Sequence, residues 1–325
     1  MALRIIRKSS SQSQVELIRG KSEAKPLCSL LCFLDNAEQV AAAKQLVDQS
    51  EWIQNHVQCL FMKSQALSEP LRPHFAPMEQ TTKLLSEPKD ASWSLRLRTL
   101  MQEASSEHCL FLAVLPESDV LPVLRRLEQA LREDPSLGLV APALGTETEV
   151  LAAGQDLPHD VAQHSLRWAD GSQTLDLKND QLAYLYQGLS LKQWQTLASG
   201  PLQVAGAPLL VAGLRREAYF SLNWSDQPYT LPWLAQDLAF GLRQQQYRLA
   251  VVPEIQPLTA SEQVLLEPGE ASAALLETWL PVRKNTFFPL YLKHGWLAQG
   301  SVFLWAEQPQ LSLAQSYLAT KVAQV

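Results

Sequence analysis

The residues of this chain that could do chemistry are a few separated carboxylates, a handful of arginines and four thiols. Glu117 and Asp119 stand just beyond an apolar run, Cys109 to Leu115, where an acid could help hold a hard cation through its oxygens. Asp237 opens an apolar helical stretch, so its carboxylate is either a general base at a cleft or a helix cap. Arg98, Arg215 and Arg216 carry forks of the kind that neutralise a diphosphate without metal. Cys28 and Cys32 are four apart, but no histidine or second cysteine pair completes a zinc site, and Cys59 and Cys109 stand alone in apolar sequence. The four thiols read as reduced and structural, which places the chain in the cytoplasm. No GxGxxG follows an apolar run, so a dinucleotide site of the Rossmann kind is not expected.

These groups must be positioned by the elements around them. The stretch from Ser106 to Leu144 is the clearest. The run Cys109–Leu115 is too short for a helix and is stopped by Pro116, so it predicts a buried strand. Ser118 is the expected N-cap of a helix, with Pro122 tolerated in its first turn and Leu121, Leu124, Leu127 and Leu131 forming its apolar stripe. Asp134-Pro135 ends that helix, and Leu137–Ala141 is a second apolar strand. Strand, helix and strand make one βαβ unit, with strands apolar throughout as parallel strands covered on both faces must be. Further apolar strands are expected at 27–34, 57–62, 203–211 and 249–252, and helices at 38–49 and 94–104. The connection 65–92, with four prolines, is expected to be irregular and helical in places. The fold class is α/β: a mainly parallel mixed sheet with helices on both faces, whose ligands collect beyond the carboxyl ends of the strands.

The same stretches resemble the GT-A fold of family 2 glycosyltransferases. Phe111-Leu112, the leucine helix, Asp134-Pro135 and Gly138 to Pro142 match a recurring signature of that family, but Ala113-Val114-Leu115 stand where its DxD would be. Ser29 and Asn36 have the spacing of its first strand and turn. Arg98 lies in a stretch similar to its Arg-Asn-x-Gly motif, with Met101 at the glycine. Gly206-Ala207 occupy the place of its strand beside the donor sugar. Gln236-Asp237, Arg243, Tyr247 and Val252-Pro253-Glu254 follow its acidic helix and Val-Pro-Glu strand. The resemblance implies donor-binding roles for Ser29, Asn36, Arg98, Glu117, Gly206, Ala207, Gln236 and Arg243. It makes Asp237 the candidate base of an inverting sugar transfer.

The resemblance also implies a Mn or Mg ion, but its ligands are missing here. The nucleotide-holding acid of the second strand is replaced within Met62-Lys63-Ser64, the second acid near Asp237 is Ala239, and Ile255–Ala260 holds no histidine. No metal and no cofactor is therefore expected. Two functions follow from the resemblance. One is transfer of a sugar from a nucleotide-sugar donor to a glycan or surface-polysaccharide acceptor. The other is a catalytically degenerate domain that binds glycan or a partner protein.

The formal net charge of −6 excludes a nucleic-acid footprint. No apolar run reaches the roughly 20 residues of a membrane span, and the N-terminus shows no secretory signal. The expected layout is a flexible basic arm over 1–25, a GT-A-like domain over 26–260 and a mostly helical extension over 261–325. The arm and the aromatic residues Phe287, Phe288, Tyr291, Trp296, Phe303 and Trp305 admit peripheral attachment to a membrane, a protein partner or a second subunit. Trp168, Tyr184, Tyr186 and Trp194 are candidates for an acceptor groove or for core packing.

Overall fold

A computed structural model describes residues 5–8, 13–156, 164–167, 174–175, 183–184, 187–204, 206–222, 229–267 and 302–305. In chain order the strands are β1 (Ile5–Lys8), β2 (Gln14–Ile18), β3 (Cys28–Leu34), β4 (Val57–Lys63), β5 (Thr82–Ser86), β6 (His108–Leu112), β7 (Leu137–Gly145), β8 (Val150–Ala152), β9 (Gln155–Asp156), β10 (His164–Arg167), β11 (Thr174–Leu175), β12 (Ala183–Tyr184), β13 (Leu202–Gln203), β14 (Val211–Arg215), β15 (Arg248–Pro257) and β16 (Val302–Trp305). The helices are α1 (Ala37–Gln49), α2 (Glu51–His56), α3 (Trp93–Glu103), α4 (Leu121–Glu133), α5 (Leu191–Leu197), α6 (Arg216–Phe220), α7 (Leu231–Gln244) and α8 (Ala260–Gln263). The chain forms two units, one of residues 1–155 and 184–267, the other of 156–183 and 268–325. In the second unit β10 pairs antiparallel with β11 and β16. Among its described residues 302–305 are strand, where a helical extension was expected. The aromatic cluster at 287–296, and Trp168 and Tyr186, lie outside the described residues. No helix among the described residues is long and apolar enough to cross a membrane.

The first unit is built on one sheet of order β1-β2-β5-β4-β3-β6-β14-β7-β15-β13, with β8 added to β7. Strands β5, β4, β3 and β6 are mutually parallel, and β15 is parallel to β7. β14 runs antiparallel between β6 and β7. This is the expected mainly parallel mixed sheet, and α4 connects β6 to β7 across the intervening β14. Alternation along the strands explains the layers. Leu30, Cys32, Leu34, Cys59, Phe61, Leu110 and Leu112 share one core with residues of α1, α2 and α4. Their alternates Leu31, Leu60, Met62, Cys109 and Phe111 are equally buried on the other face, where α3 and α7 meet the sheet. All four cysteines are free and buried, and burial pushes their thiols up, that of Cys109 to about 12.

Three expectations change. The basic arm is in part a hairpin of the sheet: β2 pairs with β5 and β1 with β2, and Val15 and Ile18, on opposite faces of β2, are both buried. The connection 65–92 contains a strand, β5, whose Thr82, Leu84 and Leu85 are buried. The strand expected over 203–211 is two short strands, since Pro208 cannot donate to a ladder and the chain leaves β15 to enter between β6 and β7.

The αβ turn after α4 is held by charge. The Arg215 side chain, 5% exposed, donates to the carbonyls of Leu131, Leu137 and Asp134 and pairs with Glu107. It thus satisfies helix-end carbonyls that have no partner within α4. Asp134 accepts from both the N–H and the hydroxyl of Ser136 and meets Arg248 at 3.1 Å. Burial pushes its carboxyl up, but the Ser136 bonds, Arg248 and Arg215 outweigh this and hold it below the ordinary carboxylate range. A lowered folded pKa adds stability above the unfolded value, near pH 4, which is lost as pH falls through the folded value. Asp134→Asn is therefore expected to flatten the acid limb of the stability curve below about pH 4. Its cost at neutral pH is about 0.5–1 kcal/mol, discounted because the side chain is about a third exposed. Urea denaturation at stepped pH measures both.

Candidate functional site

Three parallel strands end on one edge. β3 leads into Asp35-Asn36, β4 into Lys63-Ser64, and β6 into Ala113–Ser118. The last of these is the loop on which a metal-assisted reaction would turn, and it is tied down along its length. The Ala113 N–H donates to Leu210, the Glu117 N–H to the carboxylate of Glu262 at 3.0 Å, and the Ser118 hydroxyl to Pro257. Gln256 donates to the Ser118 oxygen. Asp119 accepts from the Leu121 N–H at 3.0 Å, and the residue that precedes α4 is Val120, not the expected N-cap Ser118. Ala113, Val114 and Leu115 are buried, while Glu117 and Asp119 are exposed. Glu262 is itself buried and also accepts from the Thr259 N–H at 2.7 Å, which makes it the clamp between the loop and α8.

At the ends of β3 and β4 a second set of side chains is also internally occupied. The Arg96 guanidinium lies 4.4 Å from the Phe33 ring centroid and 4.6 Å from that of Trp93, and its Nε meets Glu87 at 2.5 Å. The Glu87 side chain is 6% exposed, and its other oxygen accepts from the Gln65 N–H. Lys63 donates to the carbonyls of Leu67 and Glu69. Asn36 caps α1 by accepting from the Gln39 N–H.

The remaining predicted residues fall into two groups. Gly206, Ala207 and Gln236 come together. A Cβ on Gly206 would stand 3.1 Å from the Gln236 amide oxygen and 3.1 Å from the Gln155 carbonyl. Gln236 is fully buried, and neither end of its amide has a hydrogen-bond partner; the Gln155 amide oxygen is likewise unpaired and buried. Asp237, the next residue, sits half-buried on the flank of α7 roughly 100° further round. It lies mid-helix, so it is no cap.

Ser29, Arg98, Arg215, Arg216 and Arg243 stand apart from that group. Ser29 is near the opposite end of β3, buried and bonded to Gln58 and Ser106. Arg215 is committed to the end of α4, and Arg216 to the Met101 carbonyl and the Phe220 ring. Arg243 follows Leu242, which packs at Gly138 near the amino end of β7. Arg98 is half-buried on α3, whose Met101 is fully buried. Of the four aromatic candidates, Trp194 is a core residue donating to Pro253, and Tyr184 donates to Leu266. The sequence reading missed Arg96, Glu87, Gln155 and Glu262. Only the run Thr82–Ser86 gave a signal, since a strand there would have carried Glu87 to the edge.

Carboxylates that could ligate a divalent ion are not gathered at the end of β6. Among the described residues no group of three or more His, Cys, Asp or Glu could hold a metal. The strand end offers only methyl, isopropyl and isobutyl groups, so the residues do not fit the ion of the family they resemble.

The first unit is a mainly parallel mixed sheet with helices on both faces. Similar solved structures include a mannosyltransferase, PcManGT from Pyrobaculum calidifontis, in complex with GDP-Man and Mn²⁺. The match has 11% identity over 92% of this chain and 76% of that one, with a TM-score of 0.43. Another is GalNAc-T7 with UDP, GalNAc and Mn²⁺, at 12% identity over 83% of this chain and 50% of that one, TM-score 0.44. A third is CMP:2-keto-3-deoxy-manno-octonic acid synthetase complexed with CTP, at 12% identity over 78% and 97%, TM-score 0.36. No protein-family model matches the chain, and no curated protein is detectably similar to it. At these identities and TM-scores the site is argued from this chain's own residues.

If Arg96 neutralises a buried carboxylate, Arg96→Ala will destabilise the protein by about 3 kcal/mol, and adding Glu87→Gln will restore part of the loss. A double-mutant cycle by chemical denaturation reads this. Additive costs would show that the pair does not interact.

Proposed function

We propose that this chain is a glycosyltransferase-like domain that has lost metal-assisted sugar transfer and serves as a glycan- or partner-binding subunit. The observation that carries this reading is the loop after β6. It presents buried Ala113, Val114 and Leu115 and is pinned through Glu117 and Ser118 to Glu262, Gln256 and Pro257. Bringing Glu117 or Asp119 inward would break those bonds and the Leu121–Asp119 bond, and one carboxylate is a poor cage for a hard ion. The internal Arg96–Glu87 pair fits the same reading, because the polar groups at the ends of β3 and β4 are spent on the protein itself. The apolar framework specifies the fold independently of the site, so one can be kept without the other.

The test is calorimetric titration with UDP-, GDP- and dTDP-sugars, with and without Mn²⁺. Binding that depends on Mn²⁺ is not expected, and EDTA should leave any signal unaltered. Mn²⁺-dependent binding abolished by Glu117→Ala or Asp119→Ala would overturn the reading.

A second reading is favoured by the buried, unpaired amide of Gln236 beside Gly206, with Asp237 next in the helix. Here the chain transfers a sugar without metal and Asp237 is the general base of an inverting displacement. It takes the acceptor hydroxyl's proton as the acceptor oxygen bonds to the anomeric carbon and the nucleoside diphosphate leaves. On that reading, Asp237→Asn lowers the transfer rate by about 100-fold or more with the fold intact. An unchanged rate in an active preparation removes Asp237 from the reaction.

A further inference from the structure

The connection from β2 to β3 is laid flat over the amino ends of β4 and β5. The N–H groups of Lys21 and Ser22 donate to the carbonyls of Met78 and Glu79 at 3.1 and 2.9 Å, and the Gly20 N–H donates to the Thr81 hydroxyl oxygen at 3.2 Å. The approach is so close that a Cβ on Gly20 would stand 2.5 Å from the Glu79 carbonyl oxygen. Between this connection and Ser105, just before β6, lies a cavity of about 420 Å³, within the size range of small-ligand sites. We infer that it is a binding site for a small molecule bearing an oxyanion, a carboxylate or a phosphate, distinct from the carboxyl-edge site.

The observation that leads there is the orientation of two buried amides. Gln58 lines the cavity and is 4% exposed. Its amide oxygen accepts three hydrogen bonds at 2.9 Å, from the Ser29 hydroxyl and from the N–H and hydroxyl of Ser105. A backbone N–H can only donate, so Ser105 fixes which end of the amide is oxygen. The nitrogen end donates to no group among the described residues, and it is not sealed in the core but opens to the cavity. Gln80 lines the same cavity at 6% exposure, and both ends of its amide are likewise open and without a partner among the described residues.

The hydroxyls repeat the pattern. The Thr81 oxygen accepts from Gly20, and the Ser22 oxygen accepts from the Ala24 N–H at 3.0 Å. Neither hydroxyl proton has an acceptor among the described residues. The lining has committed oxygens to the chain's own N–H groups and kept protons for a ligand. A group that only accepts satisfies such a set, whereas a cation would leave the donors unpaired. Charge agrees, with Arg19 and Lys21 against Glu23. Lys21 stands 3.8 Å from Glu79 in a solvent-exposed pair, and the exposed Arg19 has no ion pair among the described residues. Its guanidinium fork suits a carboxylate or a phosphate equally.

The experiment titrates the full chain calorimetrically with inorganic phosphate, with malonate and, as the control for screening, with chloride. At least one oxyanion should bind with a Kd of about 1 mM or tighter, far below that of chloride, and the tighter of the two tells phosphate from carboxylate. Arg19→Glu, at an exposed position where folding is not at stake, should weaken binding about tenfold or more. Gln58→Glu keeps the oxygen that Ser29 and Ser105 need but puts a repelling oxygen in place of the nitrogen, and should abolish binding. If Gln58→Glu does not fold, Arg19→Glu decides. Binding of both oxyanions no tighter than chloride, unchanged affinity in Arg19→Glu, or full affinity in folded Gln58→Glu would each overturn the proposal. The probes carry neither sugar nor nucleotide, so this site and the carboxyl-edge site can fail separately.

Discussion

The Arg215 guanidinium is the interaction on which the middle of the sheet depends. β14 must enter between two parallel strands and run against both, which separates β6 and β7 by a full strand. The connecting helix therefore ends over a strand that belongs to neither, with its last carbonyls turned toward the sheet interior. Arg215, the final residue of β14, meets the carbonyls of Leu131 and Asp134 there, and also that of Leu137 at the start of β7. Gly213 completes the fit: a Cβ would stand 2.9 Å from Val140 and 3.1 Å from Leu131, so only glycine lets α4 lie this close. A charge and an absent methyl group together place α4, and with α4 the loop that precedes it.

The loop after β6 is held by side chains outside it. Its anchors come from far along the chain, with Glu262 lying 145 residues from Glu117. The Glu262 carboxylate meets the loop's backbone, and the Gln256 amide and Pro257 carbonyl meet the Ser118 hydroxyl. In a transfer site the same polar atoms would be left unsatisfied until substrate arrived. Among the described residues, buried amide atoms without a partner lie on Gln236 and Gln155, beside Gly206, and on Gln256, whose nitrogen holds Ser118.

Much of the sheet was legible in the sequence because parallel strands buried on both faces read as unbroken apolar runs. Cys28–Leu34, Val57–Met62 and Leu137–Ala141 carry that signature without competing signals. β5 and β2 were missed for the converse reason: Lys83 and Glu16 interrupt short segments that periodicity cannot separate from loop. β14 was blurred by Pro208 and by the apolar residues before it, which are buried as an irregular crossing. Gly206 and Ala207, far from Gln236 in the sequence, come together with it in the fold. Ser29, Arg215 and Arg243 lie elsewhere, because the direction of an element decides which edge a residue reaches. The Arg96–Glu87 pair and the Glu262 clamp are tertiary pairings between ordinary charged residues, and nothing local marks them.

The four thiols have a consequence of their own. Cys28 and Cys32 lie on β3, Cys59 on β4 and Cys109 on β6, so they sit on three adjacent strands at the centre of the sheet. Burial holds all four protonated, and thiolate is the form that reacts. Fraying at the hairpin of β1 and β2 or in the outer loops would not uncover them. An alkylating reagent must wait for the innermost strands to part, so the pace of modification keeps time with the rarest opening of the molecule.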